Sequence, residues 1–97
     1  MKYLIIDAEL GGTGIRDIYN GRYLELESLG LSKDIMREIN LWLRNYQEEH
    51  YKGYTDEAII DKLDREGIEL AKNIKKELKD IKIEYFSDAR LTKQMIE

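Results

Sequence analysis

The chain has no cysteine and no proline, and only one histidine, one tryptophan and one phenylalanine. Without cysteine there is no disulfide, no thiolate nucleophile and no thiolate zinc site, a composition that fits a reducing cytoplasm. A lone His50 cannot build a histidine-rich metal site. Long apolar runs are missing too. The N-terminal MKYLIIDAEL holds only four consecutive apolar residues before Asp7, too few for a signal peptide. No segment approaches the roughly 20 apolar residues of a membrane span. Internal repeats, low-complexity tracts and linkers are also absent. The expectation is a soluble, cytoplasmic protein that contacts no membrane.

What is present suits one compact unit. A chain of 97 residues, if split, would leave two cores too small to stand alone, so 1–97 reads as a single domain. With 42% hydrophobic and 37% charged residues it is globular under a heavily solvated exterior. The net charge of −4 and pI near 5.1 disfavour direct nucleic-acid or anionic-membrane binding. They suit a basic partner.

Tyr3–Asp7 is a short apolar run that reads as a buried strand. Five of the seven glycines follow within Ala8–Gly30, marking irregular backbone. Inside it, Ile18–Tyr23 is either a hairpin with a type I′ turn at Asn20-Gly21, whose residues suit positive φ, or a plain surface loop. Ser32 can cap a helix, with Leu31 and Met36 placed as a hydrophobic staple. Ile35, Ile39, Trp42, Leu43, Tyr46 and His50 then form one apolar stripe at helical spacing. Lys52-Gly53 ends it. Thr55 is the next candidate cap, and Ile60, Leu63, Gly67, Leu70, Ala71, Ile74 and Leu78 form a second stripe. Ile81, Ile83 and Tyr85 alternate with Lys82 and Glu84, the period of a half-exposed strand. Residues 88–97 read as a short helix or a fraying tail. Two helices need a shared apolar partner, and the strands supply one. The predicted fold is a small two-layer α/β sandwich ordered strand–loop–helix–helix–strand, with Leu4–Ile6 and Ile81–Tyr85 adjacent and the two intervening helices permitting a parallel pairing.

The chemistry-bearing groups are sparse. Leu10–Asp17 follows the first strand and invites a phosphate-loop reading, with Arg16 adding charge. It lacks the Lys-Ser/Thr of a Walker loop and the immediate helix of a dinucleotide fingerprint. A small nucleotide- or phosphate-binding module at Gly11–Asp17 is the alternative function. Asp7, Glu9 and Asp17 could act as a magnesium or acid–base cluster, as solvated acids capping Arg16, or as a partner-facing patch. His50 could be a base beside Glu49, an interface contact, or a protonated side chain at a helix C-terminus. In the second helix, Asp56–Glu69 carries −4 and Lys72–Lys82 carries +3, matching the helix dipole. Gly67 within an apolar stripe implies close approach of a bulky side chain such as Trp42. The stretch Leu41–Tyr54 holds the only Trp, the only His and three of seven tyrosines, the chemistry that anchors protein interfaces.

Taken whole, the layout resembles the small immunity proteins of bacterial contact-dependent growth inhibition and polymorphic toxin systems. The residues carrying the resemblance are Ile6-Asp7, Gly12–Asp17, Leu29–Ser32, Trp42 with Tyr46, Gly67–Ala71 and Ile83–Phe86. The resemblance implies binding of a cognate toxin C-terminal domain, often a basic nuclease, so that its active site or substrate surface is blocked. It brings no catalytic residue, metal or cofactor. The expected partner-binding residues are Asp17, Tyr19, Tyr23, His50, Tyr51 and Tyr54 as contacts, with Asp7 and Glu9 contributing field rather than anchoring. They sit on accessible, irregular backbone and combine acid with tyrosine.

Overall fold

Leu4 and Ile6 at one end of the sequence, and Ile81, Ile83 and Tyr85 near the other, meet in one core and lose nearly all solvent contact. The alternation of each segment puts these residues on a single face, and pairing the two strands makes that face continuous. A computed structural model describes residues 1–97. Its elements are β1 (Lys2–Ile6), β2 (Ile15–Asp17), a 3-10 turn (Leu26–Leu29), α1 (Lys33–Tyr51), α2 (Glu57–Glu77), β3 (Ile81–Ser87) and β4 (Thr92–Met95). The sheet order is β2-β1-β3-β4. β1 and β3 run parallel in the register Lys2↔Ile81 to Ile6↔Tyr85, and the two outer pairs are antiparallel. This is the predicted α/β sandwich, with strand, two helices and strand in the predicted order; at its centre the strands run parallel, the direction the sequence leaves open.

Both helices bury the predicted stripes. Ser32 caps α1, its hydroxyl accepting from the Ile35 amide at 3.2 Å. The stripe ends differently: Glu49 is buried and His50 exposed, because the last turn rotates the histidine outward. Glu49 pairs with Lys52 at 3.3 Å. The cap of α2 is Asp56 rather than Thr55; its carboxylate accepts from the Ile59 amide at 3.2 Å. An ionised cap is the stronger acceptor at the positive end of a helix dipole. No helix is long and apolar enough to cross a membrane.

Three features depart from the prediction. Ile15–Asp17 is an edge strand rather than part of a loop, held by three residue pairs to β1. It returns through Arg22–Leu24, so the hairpin alternative is the realised one, with Arg16 bridged to Tyr23. The turn is not type I′: only Gly21 has positive φ, and Asn20 accepts from the Arg22 amide at 2.8 Å. Thr92–Met95 pairs with β3, so the tail is a strand, neither helical nor frayed, and Ile96 tucks into the core.

Gly67 is explained by two rings. A β-carbon there would fall 2.8 Å from Tyr85 Cζ and 2.9 Å from Trp42 Cζ2. The indole of Trp42 is buried and donates to the Leu63 carbonyl at 2.8 Å. Trp42→Ala should therefore destabilise by about 3–5 kcal/mol, through cavity formation and loss of the indole hydrogen bond. Gly67→Leu should destabilise by about 1–3 kcal/mol or more through overpacking. Denaturant melts measure both, and two variants near the wild-type midpoint would contradict this packing.

Candidate functional site

The parallel strands β1 and β3 end side by side, so the residues that leave them, Asp7 and Asp88, emerge at the same end of the molecule. Glu9 and Tyr23 join Asp7 there. The Tyr23 hydroxyl lies 2.6 Å from Asp7 Oδ1 and 2.8 Å from Glu9 Oε2, one proton serving two carboxylates. Arg16 approaches Asp7 from β2 at 3.2 Å and lies 5.9 Å from the Tyr23 ring centre. The Asp88 carboxylate accepts from the Ala8 amide at 3.3 Å.

The last turn of α1 abuts this group, since Gln47 donates to the Glu9 carbonyl at 3.2 Å. Beyond it, His50 stacks edge-on with Tyr51 and Tyr54, each ring centre 5.6 Å away. His50 and Tyr51 are exposed, Tyr51 at 78%, while Tyr54 is half-buried. Tyr54 sits in the left-handed region at φ +54° and packs on Tyr46 at 6.0 Å. The α1–α2 junction thus offers a rigid aromatic surface rather than a loose loop.

The eight predicted partner-binding residues divide into three groups. Glu9, Tyr23, His50, Tyr51 and Tyr54 lie at this end with accessible surface. Asp7 lies there too but is only 1% exposed, so it positions Tyr23 and Arg16 and cannot itself be a contact. Asp17 and Tyr19 are elsewhere: β2 runs back along β1, and Ile18 bonds the Tyr3 carbonyl. Tyr19 stacks on Tyr3 at 6.2 Å, roughly 10 Å further along the strand than Ile6. The Asp17 carboxylate accepts from the Tyr19 amide at 3.0 Å, a local turn closure.

Sequence reasoning passed over Asp64. It lies in the buried stripe of α2, where its carboxylate accepts from Tyr46 at 2.8 Å, Tyr85 at 2.5 Å, Ser87 at 2.9 Å and Arg90 at 3.2 Å. Arg90 also pairs with Asp61 at 2.7 Å. Burial raises the Tyr46 hydroxyl to about 12 and the Tyr85 hydroxyl higher still, so both remain donors. The available signal was spacing: Asp64 falls four residues after Ile60 and three before Gly67, a stripe position held by an acid.

Two polar groups of the glycine-rich loop are used internally. The Gly12 amide donates to the Glu9 carbonyl at 3.1 Å, and Thr13 donates toward the Leu24 carbonyl at 2.6 Å. Arg16 pairs with Asp7 through one terminal nitrogen while its Nε is buried without a partner, and Glu9 lies alongside, so the loop presents acid as well as base. No three histidine, aspartate or glutamate side chains are grouped to hold a metal ion. The chain matches no family model, no curated protein and no solved structure.

Crowding of acids has a measurable signature. Desolvation first, then the charge of Asp7, lifts the Asp88 carboxyl from 3.8 to about 6. Asp7 is also raised, by burial, against the opposing effects of Tyr23 and Arg16. For a carboxyl raised on folding, the native state holds its proton more tightly. Stability therefore falls as pH rises between the unfolded value of 3.8 and the folded value near 6, then levels. Asp88→Asn keeps an acceptor for Ala8 and removes the charge. It should raise the melting temperature at about pH 8, change it little at about pH 4, and flatten the decline between. An equal effect at both pH values would contradict the coupling.

Proposed function

We propose that the chain is an immunity-type inhibitor, acting in the cytoplasm, that binds a basic toxin domain and blocks its active site or substrate surface. The observation that carries the reading is the charge and aromatic content of the end described above. Six carboxylates linked there, Asp7, Glu9, Glu57, Asp61, Asp64 and Asp88, face two guanidiniums, Arg16 and Arg90. With Lys93 beside Arg90, the acids still outnumber the cations six to three. A field concentrated at one end steers a cationic partner toward it, and the exposed rings of His50 and Tyr51 with half-buried Tyr54 await contact there. Tyrosine on rigid backbone loses little entropy when it becomes an anchor. The resemblance to immunity proteins supplies the kind of partner, and the reading needs no catalysis.

The test pairs the purified protein with the toxin domain encoded by the reading frame directly upstream, where such partners lie. A tight complex is expected. Tyr51→Ala or Tyr54→Ala should raise the dissociation rate, costing at least about 2 kcal/mol at a true anchor. Glu9→Gln should mainly slow association, with a smaller effect at high salt. The protein alone should turn over no nucleic acid with or without magnesium. Failure to form the complex, or magnesium-dependent turnover abolished by Asp7→Asn, would overturn the proposal.

A further inference from the structure

Asp88–Leu91 connects β3 to β4, and its last residue combines two unfavourable features. Leu91 is 75% exposed and adopts φ +56°, a left-handed conformation that glycine or asparagine ordinarily fills. A solitary exposed leucine needs no explanation. This one stands on a turn held unusually firmly. The Leu91 amide donates to the Ser87 carbonyl at 2.7 Å, the Arg90 amide to Ser87 Oγ at 3.2 Å, and the Ala89 amide to the Tyr46 hydroxyl at 3.2 Å. The Arg90 guanidinium bridges Asp61 and Asp64. Every residue of the turn is thus tied down, Asp88 through Ala8, while the Leu91 side chain is left in water.

The turn also lies in the right place. Tyr46, which receives the Ala89 amide, packs on Tyr54, and the charge of Asp88 reaches the Tyr54 hydroxyl. Its surroundings, Glu57, Asp61, Asp64 and Asp88 against Arg90 and Lys93, remain acidic. We infer that the Asp88–Leu91 turn is a further part of the partner-binding surface, with Leu91 the aliphatic anchor for an apolar pocket bordered by basic side chains. This rests on the binding reading above and adds a residue it did not include. Preorganisation explains the construction: a turn already locked by the buried network loses little freedom on docking, so the contact of one leucine is retained as affinity.

The experiment separates anchoring from a structural role by the sign of two readouts. Leu91→Gly suits the left-handed backbone, so its melting temperature should rise. Its dissociation rate from the upstream-encoded toxin domain should increase about tenfold or more. Leu91→Asp should weaken the complex at least as much while the fold still melts cooperatively. If the wild type binds and both variants dissociate at the wild-type rate, this inference fails while the proposed function stands. If the wild type does not bind, the proposed function itself fails and takes this inference with it. A leucine with only a structural role would lower stability and affinity together.

Discussion

One carboxylate in the interior ties four parts of the chain together. Asp64 belongs to α2, and its four donors come from α1, from two positions on β3, and from the turn beyond β3. A buried charge is tolerated only when its lone pairs are occupied, and here both oxygens have two donors each. The requirement is geometric. Tyr46 and Tyr85 must reach the same oxygen, which sets how far α1 can slide over the sheet. Their rings, with Trp42, then fill the space that Gly67 leaves open. Apolar packing alone would permit several neighbouring arrangements of two amphipathic helices on a sheet. The shared carboxylate selects one of them and extends that selection to the surface through Arg90.

The site at the end of β1 follows a different rule. Asp7 is buried like Asp64 but has weaker compensation, one shared tyrosine proton, one arginine and a long 3.4 Å bond from the Glu9 amide, with a second acid nearby. The interior carboxylate is satisfied and rigid, whereas the peripheral pair retains unneutralised charge. Structural acids and field-generating acids are therefore distinguishable in this molecule by their donors.

The central elements were legible because their patterns were long and regular. Two helical stripes and the alternation of Ile81–Tyr85 each repeat several times, whereas the parallel pairing of the two strands was only permitted by the sequence. β2 and β4 were illegible because three and four residues cannot display a period, and β4 is exposed along its whole length. The burial of Asp64 was hidden because burial is read from apolar residues, and nothing local announces four donors converging from distant positions. Glu9, Tyr23, His50, Tyr51 and Tyr54 were identified by residue type. Their convergence, and the departure of Asp17 and Tyr19 to the far end, depended on the course of β2, which local sequence did not reveal. Leu91 escaped notice because an arginine–leucine pair carries no turn chemistry.

The parallel pairing of β1 with β3 has a consequence for biosynthesis. Lys2 finds its partner at Ile81, after both helices have been made. While a ribosome is still translating the helices, β1 has only the short β2 hairpin to pair with, and its inner edge is bare. Contacts of such sequence separation form slowly and leave apolar strands exposed meanwhile. The helical hairpin can assemble early as a local unit, but the sheet on which it rests closes only when β3 leaves the exit tunnel. The polypeptide therefore reaches its native state after synthesis of its central strand pair, not progressively from its N-terminus.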